Sequence, residues 1–314
     1  ARPEGGRLTY RAVNACIQFV ATLDGCQLLT VEDLKAADGK LHPVQQAMVD
    51  CHGSQCGFCT PGFVMSMFAL TRQADELPGE TTIDDALAGN LCRCTGYAPI
   101  VRAAQRMFEL DPRADAIAAA APDTLARLVS WQDEATVVVG QDGRRFIAPA
   151  TLDALAETLL AEPEATIVAG STDVGLWITK QMRRLDTVVY LGRVKELQRL
   201  EETADGIEIG AGVSHSDAMA VLARHYPDMG EVWRRFASTQ IRNAGTVGGN
   251  VANGSPIGDG SPALIAAGAT LHLRRGAEHR SLPLEDFFLA YGKQDRRPGE
   301  LVERITVPLP PPGS

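Results

Sequence analysis

The chain holds no uninterrupted run of about 18 apolar residues, which excludes a membrane-spanning helix. It has no excess of positive charge. Thirty basic residues against 39 acidic ones give a formal net charge of −9, which argues against a nucleic-acid or anionic-membrane surface. The first residues, Ala1-Arg2-Pro3-Glu4-Gly5-Gly6, lack the apolar core of a secretion signal. No Gly-x-Gly-x-x-Gly follows a strand pattern, so a Rossmann-type dinucleotide site is excluded. Cysteine is scarce and odd in number, seven in 314 residues. Four of the seven form a ligand pattern, so the thiols read as ligands kept reduced, and a cytoplasmic location is expected. The length suits two or three domains.

The ligand pattern is Cys56-Gly57-Phe58-Cys59 with Cys92-Arg93-Cys94. Neither pair makes a relaxed disulfide easily, and both stand in glycine-containing turns whose amides can point at sulfur. Four thiolates so spaced suit one metal centre, either a [2Fe–2S] cluster or a structural zinc. Spacing alone leaves both open, although Cys-x-Cys is tighter than the usual zinc-ribbon knuckle. A helix is expected to start at His42-Pro43. A second should run from Phe63 to Gln73, with Thr60 as N-cap and Pro61 at its first position. That places Cys59 at a helix N-terminus, where partial positive charge favours thiolate. A third helix is expected from Thr82 to about Gly89 and a fourth from Pro99 to Leu110. Cys26 and Cys51 read as small buried hydrophobes.

Residues 111–145 are a composition break that opens with an alanine-rich stretch between Pro112 and Pro122, and are expected to form a linker, with a short helix as the alternative. Beyond 146 the pattern is α/β. A strand over 165–169 runs into Gly170-Ser171-Thr172-Asp173, and a helix over 174–183 follows. Strands are expected over 187–191 and 206–213, and Ser216 should cap the next helix. A glycine turn between strand and helix can bind phosphate through free amides, with Ser171 and Thr172 adding hydroxyls, but most such turns are only turns. The stretch from Phe236 to Asp259 reads as poor helix and poor strand. Its Ile241, Val247, Val251 and Ile257 make it a loop wrapped around something. His215 reads as a satisfied surface or capping residue.

The segments 52–62 and 91–97 resemble the helical [2Fe–2S] domain of the molybdenum hydroxylases, a family that includes xanthine dehydrogenase, aldehyde oxidase and carbon monoxide dehydrogenase. The resemblance covers about residues 40–110 and implies a four-helix bundle with Cys56, Cys59, Cys92 and Cys94 on one cluster. Arg11 to Cys16 resembles the last ligand segment of the family's ferredoxin-like domain, which makes Cys16 a ligand of a second cluster. The other three ligands, Cys-x₄-Cys-x₂-Cys, are expected ahead of Ala1. Residues 146–308 resemble the family's FAD domain, of the vanillyl-alcohol-oxidase type. That likeness implies FAD contacts at Ala169, Gly170, Ser171, Thr172, Asp173, Val174, Phe236, Ala237, Thr246, Gly249, Asn250, Asn253, Ser255, Asp259 and Val302, with Phe236 and Ala237 beside the isoalloxazine. Residues 169–173 contain no histidine, so the flavin is expected to be held without a covalent bond.

The implied fold is multidomain α+β. A ferredoxin-like tail spans 1–25, the helical [2Fe–2S] domain 26–110, the linker 111–145 and the FAD-binding domain 146–314. Iron–sulfur and flavin parts fused in this order, without a molybdopterin domain, resemble the small subunit of a bacterial xanthine dehydrogenase. The implied path takes electrons from a molybdopterin-binding large subunit through the clusters to FAD and then NAD⁺, while hypoxanthine and xanthine become urate. A heterotetramer of two small and two large subunits goes with it. The alternatives are another hydroxylase, acting on an aldehyde or N-heterocycle, and a cofactor-free zinc scaffold. The family continues with a further α+β domain where this chain reaches Ser314, which implies a truncated chain or a remainder beyond it.

Overall fold

The computed structural model describes residues 1–310, so the expectation about the chain's last residues lies outside the described part. The chain divides into two compact units. The first comprises Ala1–Val13, Leu23–Gln132 and Ala237–Gln240, and the second Asn14–Thr22, Asp133–Phe236 and Ile241–Ser314.

The first unit opens with a hairpin, β1 (Arg2–Glu4) paired antiparallel with β2 (Arg7–Thr9). Helices α1 (Pro43–Asp50), α2 (Thr60–Thr71), α3 (Glu80–Leu87), α4 (Ala98–Arg106) and α5 (Ala116–Ser130) follow. Helix α2 is central, because Phe63, Val64 and every residue from Ser66 to Thr71 are buried. They pack with Ile83, Ile100 and Met107 from the helices around them. Cys59, not Thr60, occupies the N-cap position of α2. The fourth helix tightens to 3₁₀ geometry over Met107–Leu110. The alanine-rich segment read as a linker contains α5. Alanine is the strongest helix former, and the Asp115 carboxylate accepts from the Ala118 amide at 2.7 Å to cap the run.

Asp115 also latches three helices. The Val44 amide donates to His42 Nδ1 at 3.2 Å, which caps α1. That nitrogen is therefore an acceptor, so Nε2 carries the hydrogen and donates to Asp115 Oδ2 at 2.8 Å. Arg72, at the end of α2, pairs with the same carboxylate and lies over the Phe68 ring, 4.5 Å from its centroid. Burial alone would raise the Asp115 pKa; hydrogen bonds from His42 and the Ala118 amide, with Arg72, hold it below the ordinary value.

The second unit carries two larger sheets. In one, β3 (Val137–Gln141) pairs antiparallel with β4 (Arg144–Ala148), and β4 and β5 (Thr166–Val168) flank β6 (Thr187–Tyr190) in parallel. Helices α6 (Leu152–Ala161) and α7 (Val174–Thr179) connect these strands. The expected helix over 174–183 thus stops at Thr179. After β7 (Leu200–Glu202) and β8 (Gly206–Gly210) come α8 (His215–His225), α9 (Gly230–Arg235), α10 (Thr239–Ala244), α11 (Val247–Asn253) and α12 (Gly260–Ala266). The chain closes with β9 (Thr270–Arg275), β10 (Glu278–Pro283), the small pair β11 (Phe288–Ala290) and β12 (Lys293–Gln294), and β13 (Leu301–Pro308). The second sheet is antiparallel throughout, in the order β10-β9-β13-β8-β7. Leu155, Leu159, Ile207, Ile209, Leu271 and Ile305 fill its core.

Two expectations fail here. Ser214, not Ser216, caps α8, with its hydroxyl accepting from the Asp217 amide at 3.1 Å, while Ser216 donates to Asn243 Oδ1. The glycine-rich stretch read as a loop is largely helical. Thr246 caps α11 by accepting from the Gly249 amide at 3.0 Å, and tertiary packing overrides weak propensity.

Glu300 is 1% exposed and meets Arg280 through two hydrogen bonds, Nε to Oε1 at 2.7 Å and Nη2 to Oε2 at 2.8 Å. Burial pushes its carboxyl up; Arg280 and the Arg297 amide outweigh it, so the pKa sits below 4.5. A carboxyl depressed in the folded state stabilises fully above its ordinary pKa and loses that contribution as pH falls through the depressed one. Urea midpoints should therefore fall as pH drops below about 4.5, and Glu300→Gln should flatten that fall. Asp115→Ala removes a cap and leaves the buried Arg72 unpaired. It should lower stability by about 3 kcal/mol in urea titrations, and an unchanged midpoint would show that the latch carries no weight.

Candidate functional site

The two cysteine turns lie in the first unit. Each contains a glycine in left-handed conformation, Gly57 at φ +83° and Gly96 at φ +67°, where a side chain would be strained. Each also runs into a helix, Cys59 capping α2 and Tyr97 preceding α4. Tyr97 itself has φ +68°, and its hydroxyl accepts from the Cys92 amide at 3.1 Å. The rings of Phe63 and Tyr97 meet edge-on at 6.4 Å, so the first turns of the two helices are packed together.

The thiols meet in pairs, Cys56 with Cys94 and Cys59 with Cys92, one from each turn. Among the described residues no three His, Cys, Asp or Glu converge tightly enough for a single metal ion. Two cross-turn thiol pairs suit a binuclear group, in which each of two irons takes two thiolates. The surroundings separate the thiols chemically. Hydrogen bonds from the Thr95 hydroxyl and from the Thr95 and Cys94 amides hold Cys92 down to about 7. Burial and the adjacent Cys92 push Cys59 up to about 11. The Phe58 amide lowers Cys56, and the hydrogen bond to Cys56 raises Cys94. Thr95 and Tyr97 were not singled out as functional from sequence, although both belong to the Cys-Arg-Cys-Thr-Gly-Tyr string.

Cys16 is exposed and belongs to the second unit. Cys26 and Cys51 are half-buried, and burial raises the Cys26 thiol.

In the second unit, the Gly170 turn is seated directly on the segment 244–245. A Cβ at Gly170 would stand 1.9 Å from the Ala244 carbonyl oxygen, and one at Gly248 would stand 2.4 Å from the Ala211 Cβ. Ala169 and Gly249 face each other across the same seam, the Cβ position of Gly249 lying 3.8 Å from that of Ala169. Thr172 Oγ1 lies 3.4 Å from the Cβ position of Gly245. The turn expected at the pyrophosphate, Gly170 to Asp173, and the segment expected along the rest of FAD, Thr246 to Asn250, therefore share one small region. Asn250 brings a buried Oδ1 with no hydrogen-bond partner. A glycine-lined cradle with an orphaned acceptor fits a bound FAD.

Several individual expectations change. The Ser171 hydroxyl, expected to face phosphate, donates instead to the Ile17 carbonyl at 3.1 Å, and Ser171 is buried at φ +57°. Asp173 Oδ2 accepts from the Trp177 indole at 3.1 Å. Val302, expected at the ligand, is 5% exposed and packs in the sheet core. Asn253 ends α11, Ser255 accepts weakly from the Ile257 amide, and Asp259 precedes α12 without capping it. Phe236 is buried, and Ala237, at φ +50°, falls in the first unit.

His215 departs furthest from its expected role. It is 4% exposed and lies against Phe236, ring centroids 4.4 Å apart, and burial with the Arg242 charge lowers its pKa to about 4. Its sequence context, a Ser-His-Ser at a helix start, gives no hint of this burial.

The thiol environments are open to direct chemical test. In metal-free protein at pH 7.5, iodoacetamide should modify exposed Cys56 more than about tenfold faster than Cys59, because only thiolate reacts. Equal rates by peptide mass spectrometry would contradict the paired arrangement.

Residues 30–105 match the [2Fe-2S] binding domain model, and residues 141–310 match the FAD binding domain in molybdopterin dehydrogenase, more than half of the chain. The chain is similar to aldehyde oxidase 2 of Macaca fascicularis, 31% identical over 95% of this chain and 26% of that protein. It is equally similar to xanthine dehydrogenase of Oryza sativa subsp. japonica, 31% identical with the same two coverages. It thus spans about a quarter of the length of the curated relatives it matches. The solved carbon monoxide dehydrogenase of Hydrogenophaga pseudoflava, 24% identical, shares the fold with a TM-score of 0.52 over 56% of this chain and 62% of that one. The chain therefore belongs to the molybdopterin dehydrogenases of the molybdenum hydroxylase family, as a polypeptide that joins the family's [2Fe–2S] binding domain to its FAD binding domain.

Proposed function

We propose that the chain is the electron-transfer part of a xanthine dehydrogenase, working with a molybdopterin-bearing partner subunit and delivering electrons to NAD⁺. The observation that carries the redox reading is the pairing of Cys56 with Cys94 and of Cys59 with Cys92, which suits two irons better than one zinc. When bound, the cluster supplies one-electron transfer and FAD supplies two-electron chemistry. The four thiolates hold the cluster, and amides from Cys94, Thr95 and Phe58 donate to sulfur and offset its negative charge. The turn from Gly170 to Asp173 holds the FAD pyrophosphate without a covalent bond, and the segment from Thr246 to Asn250 lines the rest of the cofactor. Phe236 borders the flavin ring and excludes water from one side. Cys16 serves as a ligand of a second cluster. A heterotetramer of two such chains with two partner subunits is the assembly this reading implies.

The equal identity to aldehyde oxidase 2 supports a second reading, in which the same electron-transfer part serves an aldehyde- or N-heterocycle-oxidising partner.

The purified chain should contain two irons and two acid-labile sulfides on these four cysteines, to the exclusion of zinc. Flavin should pass wholly to the supernatant on acid precipitation. Zinc in place of iron would sink the cluster assignment, and flavin retained on the precipitate would sink the noncovalent one. The chain alone should not oxidise xanthine. Together with its partner it should reduce NAD⁺ when xanthine is added, whereas reduction with aldehydes and not xanthine would select the second reading.

A further inference from the structure

We propose that His215 is a ligand-binding residue of the flavin site, its Nδ1 and the Oδ1 of Asn250 together accepting hydrogen bonds from the hydroxyls of the FAD ribityl chain. The inference rests on the reading of this region as an FAD site and assigns a residue to it that sequence reasoning dismissed.

Two buried polar atoms here lack a partner, His215 Nδ1 and Asn250 Oδ1. They border the same space, because the Cβ position of Gly260 lies 2.6 Å from Asn250 Oδ1 and 3.7 Å from His215 Cε1. Gly245 approaches the other edge of the ring, its Cβ position 3.5 Å from Cδ2. Glycine at both positions leaves that space free of side chains. The ring cannot easily turn away to find another partner. It lies against Phe236 with the ring planes inclined by 39°, and the His215 backbone amide donates to the Gly245 carbonyl at 3.0 Å.

The charge state follows from the surroundings. Burial holds the imidazole neutral, and the charged group acting on it, the Arg242 guanidinium, disfavours protonation further while donating to the Phe236 carbonyl at 2.8 Å. A neutral imidazole with its hydrogen on Nε2 offers Nδ1 as an acceptor. Two neighbouring acceptors reject phosphate oxygens, which are acceptors themselves. They call for a ligand segment with donors on successive atoms, and FAD offers two, the ribityl chain and the adenosine ribose; the contact of His215 with Phe236, the residue read as bordering the flavin ring, selects the ribityl chain. An ordered water bridging the two acceptors is the competing occupant.

The test uses the full chain with FAD added. In ¹⁵N-histidine spectra, His215 Nδ1 should report as an unprotonated nitrogen and move upfield when FAD binds. His215→Phe keeps the contact with Phe236 and removes Nδ1, and should weaken FAD binding by about five- to tenfold. His215→Asn, whose side-chain oxygen stands near the Nδ1 position, should recover most of that loss. A protonated Nδ1, a shift indifferent to FAD, or unaltered affinity in His215→Phe overturns the proposal in favour of packing or a bridging water. If His215→Phe fails to fold, the wild-type nitrogen shift decides. Wild-type protein that takes up no FAD overturns the flavin reading and this inference together, whereas wild-type uptake with an indifferent Nδ1 overturns this inference alone.

Discussion

The approach of Cys59 to Cys92 is the contact around which the first unit is organised. Four thiols in a small volume repel one another once ionised, so the turns that carry them need rigid support. The protein provides it by starting α2 directly after Cys59 and α4 four residues after Cys94, and by packing the two helix starts through Phe63 and Tyr97. Helix α2, buried over most of its length from Phe63 onward, then anchors one turn to the core. Tyr97 anchors the other, at the expense of a left-handed backbone that few side chains tolerate. Helix position, aromatic packing and thiol chemistry are one arrangement seen at three scales.

The second unit solves a different problem, a site lined by backbone. Gly170 touches the Ala244 carbonyl and Gly248 touches Ala211, so strand-end turn and helix start meet without side chains between them. The first amides of α11 already donate, to the Val213, Ala211 and Thr246 carbonyls and to the Thr246 hydroxyl, so a ligand on that side meets side chains instead, and Thr172, Asn250 and His215 determine which polar groups are welcome. Thr246 is spent on holding α11, which explains why a run with two adjacent glycines forms a helix at all.

Legibility in the sequence tracked how local the interactions are. The cysteine turns and their helices could be read because ligand, glycine, proline and helix start fall within a dozen residues. Boundaries moved by a few residues where caps competed, as at Cys59 and Ser214. The alanine-rich segment misled because its composition fits a linker, while one aspartate cap and alanine propensity favour α5. The stretch after Phe236 misled for the opposite reason, since glycine argues against helix and only distant packing overrules it. His215 and Glu300 stayed hidden because what buries them, Phe236 and Arg280, lies about twenty residues away in sequence. Local pattern carries no information about such partners.

His42 uses both ring nitrogens at once, a lone pair turned to the start of α1 and an N–H turned to Asp115. The ring therefore has one admissible orientation, because exchanging its nitrogens would set an N–H against the Val44 amide and a lone pair against the Asp115 carboxylate. A single imidazole thus ties the entry of α1 to the cap of α5, and a shift of either helix end must carry the other with it.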